Sequence, residues 1–312
     1  MSLYKLTKNL ISEDLCINIQ NLTNIDKKQK NLFKSRIALV HELAYTICKG
    51  GQATLEEIRE NYLSALPVEC TKEVENLEKY FNAISIAEKI ELCKEISSLI
   101  DNKDVIYESI LGHPENYKAD ATKKIAYVKN PFTDSAYLVF SGSSPEFRYA
   151  YFDSFDATCE NVHSGESEFC ILPIETSNDG KLLSFYSMID KYELKIMSTC
   201  TVNHQEDSKF TKFALLGRSI SLPQKSNTLG KKLELRISQA PNKESPIYEI
   251  LLAAYNCNIQ LCRIDSLPLS YNESKLSYYA VFDMHDAELK AFITYLSLEH
   301  PQCYALGIYS EN

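Results

Sequence analysis

The hydrophobic pattern of this chain changes its period near residue 120, and that change limits the folds open to it. Residues 22–49 carry apolar side chains at spacings of three and four, the period of an α-helix, and the stretch stops at Gly50-Gly51. From Lys124 onward, short runs rich in β-branched and aromatic residues alternate with further helical patterns. The sequence therefore predicts an α+β protein of more than one domain, with a helical region first.

The helical region contains two further helix patterns. Thr54 with Glu57 three positions later is a capping box, which opens a second helix over 54–66. A third helical pattern, with a break inside it, covers roughly 72–100. We expect one all-helical domain over residues 1–115.

The middle of the chain predicts a layer of strands and helices. Because strand patterns alternate with helical patterns there, we expect a single α/β lobe with a largely parallel sheet over residues 122–220. A polar stretch at 221–232 indicates a linker after the lobe. The predicted strands lie at 124–128, 147–152, 168–174, 193–202 and 209–217.

The last part, residues 231–312, has the order strand, helix, strand, strand, helix, strand. That order predicts a βαββαβ sandwich of the ferredoxin-like type. The predicted strands lie at 233–240, 259–267, 277–284 and 302–310, and the predicted helices at 247–256 and 286–300.

Composition argues against several classes of partner. A net charge of −9 argues against binding to nucleic acid or to anionic lipid, because both require clustered Lys and Arg. No apolar run approaches the roughly 20 residues that span a bilayer, and the start of the chain lacks the apolar core of a signal peptide. We expect a cytoplasmic protein without membrane contact.

Metal and cofactor sites are not predicted either. The 10 cysteines include no Cys-x-x-Cys pair and most have apolar neighbours, so we expect them to be reduced core residues. The 6 histidines are scattered, without ligand spacing or a recognisable Ser or Cys partner, which favours core or surface roles over catalysis. The chain also has no Gly-rich phosphate loop, and we therefore expect no cofactor and no metal ion.

Three short motifs of the middle region occur in the order known from one enzyme family. A helix ends with Val162 and Gly165, a Pro-Ile-Glu run follows at 173–175 with Gly180 after it, and a Thr-Lys-Phe run stands at 211–213. In this order the chain resembles the prephenate dehydratases of phenylalanine biosynthesis. The resemblance implies one lobe of the periplasmic-binding-like dehydratase domain and, at the C-terminus, a regulatory domain of the ACT type.

The resemblance also assigns roles to side chains. Prephenate dehydratases are carbon-oxygen lyases that convert prephenate to phenylpyruvate, with loss of carbon dioxide and of a ring hydroxyl. By resemblance Thr211 supplies a hydroxyl near the leaving group and Lys212 a nearby cation. Ser177 and Thr176 contribute hydrogen bonds. The family has arginine in place of Lys212 and asparagine in place of Thr176, and strand alternation predicts that Lys212 faces away from Thr211.

One lobe of the family's two-lobed domain is missing. In the family a complete second lobe separates the last two motifs, and the active site is the cleft between the lobes, whereas here only residues 197–208 join them. The first turn also differs, because Asn130-Pro131 and Asp134 replace a glycine-containing loop. Since an open single lobe excludes water poorly, the sequence predicts impaired dehydratase activity.

The helical region resembles the chorismate mutase domain that is fused to many of these dehydratases. Residues 25–44 match its long first helix, with Arg36 on a substrate-binding arginine, and Glu60 falls on an active-site position. Ile19 occupies the place of the other first-helix arginine. The resemblance implies chorismate as a second candidate substrate beside prephenate, although such charges also suit a solvated helix face.

By resemblance the tail would bind phenylalanine at a dimer interface. The family's ligand lies at a Gly-Ala-Leu motif, where this chain has Ser245, Pro246 and Ile247, and near a Glu-Ser-Arg-Pro motif, where it has Asp265 and Ser266. The glycine is replaced and proline cannot donate a backbone N–H, so the sequence argues against phenylalanine as an effector. A homodimer is still expected.

Three hypotheses about function remain open from the sequence. The first is an enzyme of phenylalanine biosynthesis that acts on prephenate with impaired activity, and on chorismate if the mutase-like region works. The second is a non-catalytic regulatory or partner subunit derived from that family. The third, a binder of some other small carboxylate, has no residue pattern that tests it.

Overall fold

The computed structural model describes part of the chain, and eight helices and ten strands lie within that part. The described residues are 3–65, 85–100, 110–112, 123–142, 146–204, 209–220, 230–238, 247–269, 272–284 and 288–312. The helices are α1 (Leu3–Ile47), α2 (Leu55–Ala65), α3 (Ile86–Leu99), α4 (Pro131–Ser141), α5 (Phe155–His163), α6 (Leu183–Lys191), α7 (Ile247–Asn256) and α8 (Leu289–Glu299). The strands are β1 (Lys124–Val128), β2 (Arg148–Phe152), β3 (Phe169–Thr176), β4 (Gly180–Lys181), β5 (Lys195–Asn203), β6 (Phe210–Gly217), β7 (Lys231–Ser238), β8 (Ile259–Leu269), β9 (Asn272–Met284) and β10 (Cys303–Glu311).

Helices α2 and α3 both begin at capping boxes. The Thr54 N–H donates to the Glu57 carboxylate at 2.9 Å, and the Glu57 N–H donates to the Thr54 Oγ1 at 3.3 Å. Ser85 and Glu88 form the same motif before α3. The third helical pattern therefore begins at residue 86 in the described residues, and 66–84 lie outside them. None of the described helices has the length and apolar content needed to cross a membrane.

The helical region shares one hydrophobic core with the C-terminal unit. Ile58 and Ile96 belong to the same buried cluster as Phe292 of α8. Tyr62 of α2 is fully buried, and its hydroxyl donates to the Glu299 carboxylate at the end of α8, at 2.9 Å. Apolar contact, this hydrogen bond and an ion pair between Lys89 of α3 and Glu299 at 2.7 Å thus hold the helices against the far end of the sequence.

All ten strands join one mixed sheet, whose order is β2-β1-β3-β6-β5-β10-β7-β9-β8, with β4 paired to β3. Strand β1 runs parallel to β2 and β3, whereas β6 is antiparallel to both β3 and β5. The prediction of a largely parallel lobe is therefore wrong for β5 and β6. Residues 204–209 connect these two strands, and so short a connection cannot form the crossover that a parallel pair needs.

The C-terminal unit has the element order β7, α7, β8, β9, α8, β10, and its strands pair antiparallel in the order β10-β7-β9-β8. Strand β7 begins at Lys231, so the end of the predicted linker is strand, while 221–229 lie outside the described residues. Strand β10 also pairs in parallel with β5, which joins this unit to the lobe. At the join, a Cβ added to Gly307 would lie 2.5 Å from the Ile196 carbonyl oxygen, so only glycine permits this approach.

Candidate active site

The N-terminus of α4 forms one wall of the candidate site, directly after β1. Asn130 caps the helix, and its Oδ1 accepts from the backbone N–H groups of Phe132 and Thr133, both at 2.9 Å. Pro131 lies in the first turn, where no N–H partner is lost. The turn that differs from the family's glycine-containing loop is thus a capped helix start, and it leaves the Phe132 ring exposed.

A hydroxyl and an imidazole lie in contact at the centre of the site. Thr211 on β6 stands in register with Thr176 on β3 and Val202 on β5, and it is 9% exposed. Its Oγ1 lies 3.1 Å from the Nε2 of His204. The His204 ring stacks on the Phe132 ring, with centroids 4.0 Å apart and planes 15° apart. The aromatic ring therefore fixes the orientation of the imidazole.

His204 is absent from the residues that the sequence predicts for the site. The hairpin between β5 and β6 brings it there, and the His204 N–H donates to the Lys209 carbonyl oxygen at 2.9 Å to close the turn. In an antiparallel hairpin the residues before and after the turn lie opposite each other. The short connection between the two strands was the signal for this contact, and the prediction of a parallel sheet obscured it.

Thr176 and Ser177 lie beside Thr211, but their hydroxyls take part in local structure. The Thr176 Oγ1 donates to the Asp179 carboxylate at 2.9 Å and accepts from the Asp179 N–H at 3.0 Å. The Ser177 Oγ accepts from the Phe210 N–H at 3.2 Å. These bonds shape the β3–β4 turn and place both hydroxyls at the rim of the site.

Lys212 lies on the other face of the sheet. Successive side chains of a strand alternate between faces, and the Lys212 ammonium forms an ion pair with Glu311 of β10. In the strand register Lys212 stands opposite Glu175 on β3 and Thr201 on β5. The structure thus does not bring Lys212 to the hydroxyl of Thr211.

The Lys212 face contains a charged cavity of about 210 Å³. Its most buried acid is Glu234, 1% exposed, which accepts from the hydroxyls of Tyr186 at 2.9 Å and Tyr309 at 2.8 Å. Lys181 lies 3.4 Å from Glu234 and 3.0 Å from Asp265. Burial, and then the charge of Glu234, raise the pKa of Tyr186 well above its ordinary value. The charged lining residues are Glu175, Lys181, Lys212, Lys232, Glu234, Arg263 and Glu311.

Asp265, one of the residues expected near a phenylalanine site, belongs to the same ionic cluster. Its carboxylate also forms an ion pair with Arg263 at 2.9 Å. Ser266 is exposed on β8, and Ile247 is the half-buried first residue of α7. Ser245 and Pro246 lie outside the described residues. Asp265 is therefore engaged by cations of its own chain.

Arg36 and Glu60, the residues carried over from the mutase resemblance, have separate surroundings. Arg36 on α1 forms ion pairs with two acids of α3, Glu91 at 2.9 Å and Glu88 at 3.4 Å. Glu60 is exposed on α2. A substrate carboxylate would have to displace both acids from Arg36, so this geometry favours a helix-to-helix contact.

The lobe is the part of the chain that matches a known family. Residues 125–219 match the family model of prephenate dehydratase, which amounts to under a third of the chain. The chain therefore carries a prephenate dehydratase family segment over these residues. A search among curated proteins gives no match.

Several solved structures are similar to part of this chain. The prephenate dehydratase from Streptococcus mutans has 21% identity and a TM-score of 0.48, over 61% of this chain and 99% of that chain. The quorum-quenching acylase GqqA has 19% identity and a TM-score of 0.46, over 61% and 96%. The prephenate dehydratase from Arthrobacter aurescens, in complex with L-Phe, has 15% identity and a TM-score of 0.47, over 60% and 90%. Likeness at this level gives no information about activity.

Proposed function

We propose that this chain is a prephenate dehydratase-family protein that binds prephenate beside Thr211 and converts it slowly to phenylpyruvate. The observation that carries the proposal is the placement of the Thr211 hydroxyl, in contact with His204 and next to the N-terminus of α4. The dipole of a helix favours an anion at its N-terminal end, and prephenate carries two carboxylates. The family match over residues 125–219 supports the same assignment.

Slow turnover follows from the position of the charges. Expulsion of carbon dioxide and hydroxide from a dianion requires cations that hold the carboxylates and an acid at the leaving group. Lys212, the cation that the family resemblance assigns to this centre, is bound to Glu311 on the opposite face. By resemblance, the second lobe that closes the family's active site is missing, and water in an open site weakens every electrostatic contact there.

The test supplies the purified protein with prephenate at neutral pH, where its acid breakdown is limited, and follows phenylpyruvate against the spontaneous background. We expect slow turnover that Thr211→Val abolishes and that Thr211→Ser retains in part, because serine keeps the hydroxyl. The matched control is Thr201→Val, which changes an exposed threonine on the Lys212 face of the neighbouring strand. No phenylpyruvate above background from the unmodified protein would exclude dehydratase activity for this chain.

The second candidate function is that of a non-catalytic regulatory or partner subunit, and the ionic cavity favours it. The charges that an enzyme would direct at a dianion here bind one another between the lobe and the C-terminal unit. Isothermal titration calorimetry with prephenate separates the two candidates. Binding without turnover would support the subunit, whereas binding with turnover that Thr211→Val removes would support the enzyme.

We also propose chorismate mutase activity for the helical region, at a rate below that of the dehydratase reaction. By resemblance Arg36 corresponds to a substrate-binding arginine of the mutase family, and here it forms ion pairs with two acids of α3. Incubation with chorismate, followed by assay of prephenate, tests this activity. Mutase turnover that Arg36→Ala removes would support it, and no turnover would restrict the helices to a structural role.

We further propose that the protein is a homodimer joined through α1. Ile25, Leu32 and Leu39 follow one another at intervals of seven residues and are 51%, 70% and 65% exposed. This spacing places apolar side chains on one stripe, as in the seam of a coiled coil. Light scattering should give the mass of two chains, and Leu32→Glu combined with Leu39→Glu should give the mass of one. The exposed Lys34→Glu on the same helix is the control.

A further inference from the structure

His204 is held so that it can act on a ligand through Thr211. Its Nε2 lies 3.1 Å from the Thr211 Oγ1, and its ring lies against Phe132 with the centroids 4.0 Å apart. The His204 backbone is fixed as well, by the bond of its N–H to the Lys209 carbonyl oxygen at 2.9 Å. Ring and main chain are therefore both positioned, as proton transfer requires.

The Thr211 side of the sheet needs a source of positive charge and of a proton. A threonine hydroxyl is a poor acid by itself, and a departing hydroxide needs a proton to leave as water. Lys212 cannot provide one, because it faces Glu311 on the opposite side. Imidazole is the side chain that ordinarily gains and loses a proton near neutral pH. His204 is the imidazole in contact with the Thr211 hydroxyl.

We propose that the imidazolium of His204 supplies, through the Thr211 hydroxyl, the proton that leaves with the ring hydroxyl of prephenate. This role rests on the proposed dehydratase activity. The Nε2–H passes to the Thr211 Oγ1 while the Thr211 hydroxyl hydrogen passes to the ring oxygen. The C–O bond breaks as water leaves, and the electron pair of the C–C bond to the ring carboxylate moves into the ring, which becomes aromatic, as carbon dioxide leaves. A proton from solvent restores the imidazolium.

Thr211 is the catalytic residue in this scheme, because its hydroxyl touches the substrate. His204 is a positioning residue that acts through it. Since the hydroxyl accepts one proton and donates another, Thr211 ends the step unchanged. Thr211→Ser should preserve this relay, and Thr211→Val should interrupt it.

Charged residues near His204 in the chain or at the ends of neighbouring elements include Lys129 after β1, Asp134 on α4, Asp179 in the β3–β4 turn and Lys209 after the hairpin turn, while Lys212 of β6 lies on the opposite face. Asp134 accepts from a tyrosine hydroxyl at 3.0 Å, and Asp179 accepts from a threonine hydroxyl at 2.9 Å. The Lys129 ammonium lies 4.8 Å from the centre of a tyrosine ring. The hairpin residues 205–208 lie outside the described residues.

The test measures kcat and KM for prephenate between about pH 5.5 and 8.5, the range in which imidazole changes charge. For the unmodified protein we expect kcat to fall as pH rises, because the working form is protonated. His204→Gln keeps an N–H donor for Thr211 but cannot ionise. We expect it to lower kcat about 100-fold or more at unchanged KM and to remove the falling limb of the profile. Added imidazole should restore part of the activity of His204→Ala, since the space beside Phe132 is then open.

The control is His163→Gln, which changes an imidazole that contacts the Tyr192 carbonyl oxygen at 3.1 Å elsewhere on the lobe. It should leave kcat and the pH profile unchanged. An undiminished kcat with the original pH profile in His204→Gln would overturn the proton relay and leave the dehydratase activity standing. No turnover in any variant at any pH would overturn both.

Discussion

The two faces of the sheet at β6 hold their polar groups in opposite ways. On the Thr211 face, a hydroxyl and an imidazole lie against an aromatic ring, beside an apolar cluster that includes Phe213. On the Lys212 face, acids and bases bind one another around a cavity of about 210 Å³. The contacts described on the face of the candidate site are mostly uncharged, whereas the charged face is a joint between two parts of the chain.

The joint explains why its cations do not serve a ligand on the Thr211 face. Lys181 and Glu175 belong to the lobe, whereas Glu234, Arg263 and Asp265 belong to the C-terminal unit, and the ion pairs cross between the two. An enzyme that binds a dianion would direct such cations at its substrate. In this fold the same kinds of residue connect β3 and β4 to β7 and β8. On the Lys212 face, charge therefore holds two parts of the chain together, and these cations do not reach the Thr211 face.

Removal of the central acid of the joint should have the largest effect on stability. In Glu234→Ala two buried tyrosine hydroxyls lose their acceptor and Lys181 loses one of its acids. Loss of one partner from a buried ionic network costs about 3 to 5 kcal/mol of unfolding free energy. Urea unfolding followed by circular dichroism measures it. The control is Glu311→Gln at the exposed rim of the same cavity, where we expect a loss below about 1 kcal/mol. Equal losses in both variants would show that the cavity is not a joint.

Lys195 is a buried basic residue that lies outside this joint. Lys195 is 2% exposed; its ammonium donates to the Ala305 carbonyl oxygen at 2.8 Å and lies 3.4 Å from the centre of the Tyr304 ring. Burial, and then the charge of Arg236, lower the pKa of Lys195 from 10.5 to about 7. Between these two values the unfolded chain holds a proton on this lysine that the folded chain has released, so the contribution of Lys195 to stability should rise with pH there. Below the folded pKa both states hold the proton and the contribution is constant.

The expected slope for Lys195 is up to about 1.4 kcal/mol per pH unit above pH 7, the limit for one proton. Urea unfolding of the unmodified protein and of Lys195→Met at about pH 7, 8 and 9 measures it as the difference between the two slopes, because cysteines of the unfolded chain ionise near pH 8.5 and contribute with the opposite sign in both proteins. Lys195→Met should remove this slope while other titrations remain. A slope that Lys195→Met leaves intact would mean that the lysine stays protonated in the folded protein.

On the Thr211 face the effects should be smaller, because local bonds hold it together. Asn130→Ala leaves the N–H groups of Phe132 and Thr133 without their acceptor and should cost about 1 kcal/mol. Asn130→Gly should cost only a few tenths, since glycine is itself tolerated at an N-cap. Thermal unfolding of both variants measures the difference. Because the Phe132 ring stacks on His204, we expect Asn130→Ala to reduce prephenate turnover as well. An unchanged rate would show that turnover does not depend on this stacking contact.

The elements of this fold could be predicted where the signal is local. The capping box at Thr54 and the order of strands and helices after Lys231 are short-range patterns, and the structure contains both. Strand pairing is long-range, and no local period encodes it. Ile196 pairs with Gly307, far away in the sequence, where the lobe joins the C-terminal unit. The prediction of parallel pairing was wrong for β5 and β6, which are antiparallel.

The candidate site could be predicted in part for the same reason. Motif order led to Thr211, Ser177 and Thr176, and the register places them side by side, although their roles remain predictions. His204 was missed because no motif marks it, and because the prediction of a parallel sheet obscured the short β5–β6 connection that brings it to Thr211. The cavity on the other face could not be predicted from the sequence either, because its charged residues come from six strands: β3, β4, β6, β7, β8 and β10.

The smallest expected effect is that of Lys212→Gln, and it bears most directly on the difference between the two faces. The Lys212–Glu311 ion pair is partly exposed, with 24% of the lysine side chain and 49% of the glutamate side chain accessible, so its loss should cost at most about 1 kcal/mol. Because Lys212 faces away from Thr211, we also expect prephenate turnover to stay within the error of the assay. Thr211→Val, assayed in parallel, gives the turnover that remains when the proposed catalytic hydroxyl is removed. If Lys212→Gln lost as much turnover as Thr211→Val, the lysine would have to reach the substrate. The assignment of catalysis to the Thr211 face and of cohesion to the Lys212 face would then be wrong.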